Sequence, residues 1–307
     1  MIPLIYHPIY SDFPLPEHHR YPKNKYKLLY NEVIRQQSLK PNWSSSFQFY
    51  DSIPISKDAL CETHQEDYVM ALFDGEMEAA KMRRIGFPWS KELIERTVMS
   101  VGGTALTAQL AYAHGVAIHV SGGYHHAHYD FGSGFCLFND LVVAAHQALK
   151  IEGIEKVLIV DTDVHQGDGT ATLCDERSDI ITLSFHCEKN FPARKAQSDI
   201  DIGLARNIDD SEFISTFHSV TELAIRTHQP DLIIYDAGID IHKDDELGYF
   251  DVSTQGIYKR DTLMLQMAKE YGLPIACVIG GGYRNHHEDL VPIHKQLFES
   301  AITVFGD

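Results

Sequence analysis

No stretch of the 307-residue chain is apolar for long enough to span a bilayer, its longest apolar runs being of strand length. The N-terminal MIPLIYHPIY lacks the basic leader and extended apolar core of a secretory signal, so a reducing cytoplasm is the expected setting. Its five cysteines (Cys61, Cys136, Cys174, Cys187, Cys277) show no CxxC spacing, which argues against a disulfide framework or an all-cysteine zinc site. Basic residues are scarce, 26 Lys and Arg against 43 Asp and Glu. The formal net charge of -17 argues against direct nucleic-acid binding and suits partners that carry positive charge. Repeats, heptads, low-complexity tracts and linkers are absent. Residues 1–307 are therefore expected to form one domain, and 44% hydrophobic content suffices for a large core.

What is present is an alternation of short β-branched runs with amphipathic segments. VAIHVSGG (116–123), KVLIVDTDV (156–164), DIITLSFH (179–186), DLIIYDAGID (231–240) and IACVIGGGY (275–283) have the character of buried strands. Between them, residues 136–151, 211–228 and 253–272 carry apolar side chains at helical spacing, the last bounded by Ser253 and Gly272 as caps. Such alternation predicts an α/β fold, a parallel sheet with helices on both faces, whose ligands sit beyond the strands' carboxyl ends. Residues 1–56 are less regular and rich in Tyr, His and Pro; they are expected to cover the sheet, to line the active-site entrance, or to do both.

Chemistry gathers where the strands end. In DTDVHQGDG (161–169), Asp161, Asp163 and His165 would share one face of an extended chain. The alternative is an acidic turn built on Gly167 and Gly169. A catalytic metal site takes about three protein ligands, so a distant partner is needed. DAGIDIHKDDELG (236–248) offers Asp240, which would complete a site of two carboxylates and one imidazole; otherwise Asp240 caps a turn and His242 is exposed. Zinc is the first choice for such donors, with iron(II) acceptable. In SGGYHHAHYDFGSGFCLFND (121–140), the turn at Gly122 and Gly123 lets His125 and His126 approach one point as acid and base, with Asp161 and Asp168 free to orient them. The pairs His18–His19 and His286–His287 lack this setting and are expected to be exposed. IGGGYRN (279–285) has neither the P-loop nor the spaced dinucleotide pattern; Tyr283 instead presents a phenol able to stabilise an oxyanion. Phe135, after Gly134, is either a channel wall or core.

GGYHHA, GFCLFND, DTDVHQGDG, DAGIDIHKDDELG and GGGY, in this order, with THQEDYV (63–69) and SVGGT (100–104), resemble the histone deacetylase family over most of the chain. Gln166, where many members have a second histidine, resembles class IV enzymes and their bacterial relatives. The resemblance implies the arginase/deacetylase fold, with a parallel sheet of about eight strands. It also implies zinc-dependent hydrolysis of acetyl or longer acyl groups from lysine in a protein or peptide, or from a small amine. By motif, Asp163, His165 and Asp240 match the metal ligands and His125 and His126 the tandem catalytic pair. His126 would be the proton shuttle, with Asp161 behind His125 and Asp168 behind His126. Tyr283 matches the oxyanion-stabilising tyrosine, and Phe135, Gly134 and Gly281 match substrate-binding positions. Asp161, Asp163, His165, Ser184 and Phe185 match a site for K+ or Na+. Two positions depart from the pattern. The loop 76–92 offers no counterpart to an aspartate that many members place on the tunnel rim, and Lys25 replaces an arginine associated with an acetate exit channel. The rival expectations are an arginase-like dinuclear hydrolase and a binding module without turnover.

Overall fold

The computed structural model describes residues 1–306. Eight strands form one parallel sheet: β1 Ile2–Tyr6, β2 Phe47–Asp51, β3 Val116–His119, β4 Val157–Asp161, β5 Ile180–Cys187, β6 Ile200–Leu204, β7 Leu232–Asp236 and β8 Ile275–Val278. Their order is β2-β1-β3-β8-β7-β4-β5-β6, and every pairing is parallel. Buried on both faces, the inner strands β4, β7 and β8 read as nearly continuous apolar runs, as parallel sheets require.

The two faces separate cleanly. Leu158, Val160, Ile233 and Tyr235 pack into one core, with Phe213 and Phe217 of the helix Asp210–His228 and Met264 of the helix Thr254–Glu270. Their strand neighbours Val157, Ile159, Leu232 and Ile234 pack into a second core against Leu141 and Ala145 of the helix Asp140–Ala148. Ser253 caps the helix Thr254–Glu270 by accepting from Gly256 N at 3.1 Å, and Gly272 follows its end at φ +68°.

The strands are shorter than their apolar patterns at the carboxyl end: β4 stops at Asp161 rather than residue 164, β7 at Asp236 rather than 240 and β8 at Val278 rather than 283. The residues beyond leave the sheet as loops. Four neighbouring strands, β3, β8, β7 and β4, therefore deliver their following segments to one place.

Residues 1–56 are more regular than expected. They supply β1 and β2, which extend one edge of the sheet, and the helix Lys25–Leu39. Pro3 in β1 and the brevity of both strands obscured them in the pattern. Among the described residues no helix is long and apolar enough to cross a membrane. The five cysteines are free, four of them buried.

Candidate active site

The loop after β3 turns on Gly122 and Gly123, both at positive φ (+91° and +88°), a conformation that favours glycine. Buried Asp140 fixes this turn: its carboxylate accepts from Gly123 N at 3.2 Å, Tyr124 N at 2.7 Å and the Thr104 hydroxyl at 2.6 Å. The next two residues, His125 and His126, consequently converge, with Nε2 atoms 3.1 Å apart. His125 Nδ1 donates to Asp161 Oδ2 at 2.7 Å and His126 Nδ1 to Asp168 Oδ1 at 2.7 Å.

Burial disfavours charge on either ring, but their neighbours separate them. At His125 burial is outweighed by the Asp161 and Asp163 carboxylates, and the imidazole is raised well above its ordinary pKa. His126 is lowered to about 4 by burial and by the facing His125, against the pull of Asp168. One ring is poised as a cation and the other as a neutral base.

Beyond β4 the chain bends, so Asp161 and the pair Asp163 and His165 do not share one strand face. Asp161 turns to His125, while Asp163 and His165 turn toward β7. Asp161 Oδ1 accepts from Asp163 N at 3.0 Å, Asp163 Oδ1 from His165 N at 2.8 Å, and Asp240 Oδ1 from Val164 N at 2.8 Å. Buried Arg260 steadies the approach to Asp240, donating to the Gly238 carbonyl at 2.6 Å and the Ala237 carbonyl at 3.2 Å. His165 Nδ1 lies 2.8 Å from Asp163 Oδ1 and 3.1 Å from Asp240 Oδ2. One donor atom from each of the three residues lies within 4.8 Å of the others, and all three are buried.

This cluster suits a divalent metal. Burial and the Asp163 charge raise Asp240, and the two carboxylates push His165 up to about 10 despite burial. The pocket thus favours positive charge between its acids. Gly281 leaves room for an ion: a Cβ there would collide with Asp163 Oδ2 and lie 2.6 Å from Asp240 Oδ2. Asp163, His165 and Asp240 would hold the metal.

Tyr283 reaches the same place from the loop after β8, its N–H donating to Asp245 Oδ2 at 2.7 Å and its ring 6.3 Å from that of His165. Burial, reinforced by Asp163 and Asp240, raises its phenol well above the ordinary value, so the hydroxyl keeps its proton to donate. Phe135, 6.2 Å from Tyr283, is held at φ +66°, uncommon for an aromatic residue. Gly134 is required beside it, since a Cβ there would lie 2.5 Å from His126. Opposite, the ring of Phe191 stands 4.8 Å from His126, edge to face. His126, His165, Phe135, Phe191 and Tyr283 line a cavity of about 970 Å³. Behind the cluster, buried Lys25 donates to the Gly280 carbonyl at 2.7 Å and is lowered to about 8 by burial. Ser184 pairs in register with Asp161, and its hydroxyl lies 3.0 Å from His186 Nδ1; the Phe185 ring is in the core against Phe217.

Some positions differ from expectation. His18 and His286 are exposed, but His19 and His287 are half-buried. His19 Nε2 bonds the Gly86 carbonyl at 2.8 Å and its ring stacks on Phe87, 5.7 Å from Phe135. His242 is buried against Thr254 and Arg284. Pattern reasoning missed Phe191, whose signal is an aromatic just past the end of β5. It missed His128, bonded to Asp168, and Asp236, opposite Asp161 in register. Both Asp236 oxygens are buried without a hydrogen-bond partner among the described residues; burial and the Asp161 charge raise its pKa well above the ordinary range. It forms a second cluster with His125 and Asp161, which already bond each other.

The Histone deacetylase domain family matches residues 19–294. The chain is 41% identical over 303 residues to an uncharacterized protein of Picosynechococcus, covering 99% of each. It is 31% identical to Histone deacetylase 2 of Arabidopsis thaliana, over 76% of this chain and 62% of that protein. It is 27% identical to the acetoin utilization protein AcuC of Staphylococcus aureus, over 90% of this chain and 76% of that protein.

Proposed function

The chain belongs to the histone deacetylase family, and from that premise we propose a zinc-dependent hydrolase that removes acetyl or longer acyl groups from lysine side chains or related amines. The observation that carries this reading is the meeting of the Asp163–His165–Asp240 cluster with a converging histidine pair, each member backed by its own carboxylate at 2.7 Å.

A zinc ion held by the cluster would polarise the acyl carbonyl and acidify the attacking water. His126, neutral and turned inward by Asp168, takes the proton of that water and returns it to the departing amine. His125, held charged by Asp161, adds a fixed positive field beside the developing oxyanion. The Tyr283 hydroxyl donates to that oxyanion. Phe135 and Phe191 enclose the aliphatic stem of the substrate and keep water off it. The five free cysteines fit a reducing cytoplasm, and Asp161 with Ser184 and its neighbours would hold K+ or Na+. Gln166, directly after His165, supports a class IV type within the family.

The test is an acyl-chain series on lysine peptides and on acetylated polyamines, with metal content measured in parallel. The expected result is one metal per chain and release of the acyl group, lost in His126→Ala at unchanged metal content. Two metals per chain would favour the dinuclear reading, given the second cluster at His125, Asp161 and Asp236. Tight binding of acyl-lysine by metal-loaded protein without acyl release would mark a binding module instead.

A further inference from the structure

The mouth of the cavity has the opposite charge to the chain that builds it. Of its charged lining residues, Arg20, Arg84, Arg194 and Lys195 are basic, and only Asp168 and Glu246 are acidic. Asp168 is engaged with His126 and His128, and Glu246 Oε1 accepts from Asn285 N at 2.7 Å. Among the described residues none of the four cations is in a salt bridge. A basic rim with no directly paired carboxylate among the described residues, in a chain of net charge -17, is not a consequence of composition.

Nor are Arg84 and Lys195 loose. The Arg84 guanidinium lies over the Phe131 ring, 3.7 Å from its centroid. Lys195 Nζ donates to the Asn190 carbonyl at 2.8 Å and the Pro192 carbonyl at 2.9 Å. The segment carrying Arg194 and Lys195 is clamped by Gln166, whose Oε1 accepts from Ala196 N at 2.8 Å and whose Nε2 donates to the Ala196 carbonyl at 3.0 Å. The residue directly after His165 therefore sets the position of the basic loop.

We propose that this mouth selects peptides in which the acyl-lysine is flanked by aspartate or glutamate; the proposal rests on the deacylase reading above. Acylation removes the lysine's own charge, so any electrostatic choice must come from neighbouring residues. In an extended peptide these stand about 3.3 Å apart, within reach of the rim. The screening length is about 10 Å at 0.1 M salt, so the rim acts on those neighbours while most of the chain's acidic surface is screened from them.

The experiment compares three acetyl-lysine peptides, flanked by Asp, by Gln and by Lys, in hydrolysis and in binding by fluorescence anisotropy. At low salt kcat/KM for the acidic peptide should exceed that for the basic one by at least about tenfold, shrinking at 0.5 M salt. Arg84→Glu with Arg194→Glu should invert the order, with folding and metal content checked separately. Equal binding of the three peptides, or preference for the basic one, overturns the proposal whether or not hydrolysis occurs. An acidic-first binding order without acyl release supports the mouth's selectivity and sinks the deacylase reading instead.

Discussion

Asp168 Oδ2 lies 3.2 Å from His128 Nε2, while the other oxygen of the same carboxylate accepts from His126 at 2.7 Å. His128 is in turn held by the Thr172 hydroxyl, 2.8 Å from its Nδ1. Burial alone would raise Asp168, but the two imidazoles outweigh it and hold the carboxyl well below its ordinary range.

Because His128 shares that carboxylate, removing it should concentrate the pull of Asp168 on His126 and make His126 more basic. The acidic limb of the kcat/KM profile, where His126 must be neutral, should then move to higher pH in His128→Ala. His126→Ala should lose on the order of a hundred- to ten-thousand-fold in rate. An unmoved acidic limb in His128→Ala would separate the two residues.

Tyr283→Phe keeps the ring and removes only the donor to the oxyanion. Turnover should fall on the order of a hundred- to a thousand-fold while metal content and melting temperature hold. Near-normal turnover would take the phenol out of the chemistry.

Gly281→Ala changes no proposed ligand, yet its methyl group would press on Asp163 Oδ2 and Asp240 Oδ2. Metal affinity should drop about tenfold or more, comparable to the loss of an outer-sphere contact. Asp240→Ala should abolish retention altogether. Metal analysis after dialysis against a graded chelator distinguishes the two, and full retention in both would exclude this cluster as the site.

Acid should destabilise the fold through two buried histidines that take no direct part in the chemistry. His64 accepts from Asn139 N at 3.0 Å and donates to the His128 carbonyl at 2.8 Å, so neither nitrogen has room for another proton; burial lowers it to about 4. His119, between Thr104 and Tyr10, is lowered to about 3. Both folded values lie below the unfolded one near 6.5, so the unfolded chain binds more protons as pH falls through 6.5. Stability is complete above that pH, and each residue should remove about 2 kcal/mol by pH 5. Urea midpoints at pH 7.5 and 5, with His64→Gln flattening the difference, would measure it.

Much of the fold is legible along the chain. The runs at 156–164 and 231–240 are apolar because β4 and β7 are buried on both faces, and they mark the sheet's centre. β6, by contrast, alternates between half-buried and exposed positions as far as Leu204, and with β1 and β2 it lay below the threshold of pattern. The apolar pattern overextends the strand ends because Val164 and Ile239 continue a rhythm that the backbone abandons once the Asp163 and Asp240 carboxylates replace sheet partners as acceptors.

From the residues alone one could learn which chemical groups the loops would carry and that they would leave the sheet on one edge, since apolar periodicity and glycine turns report conformation a few residues at a time. Only the folded chain decided that Phe191 stands against His126 and that Arg20, Arg84 and Arg194 line one opening. Net charge is summed along the chain, whereas electrostatic potential depends on distance, and those distances come into being only with the tertiary fold.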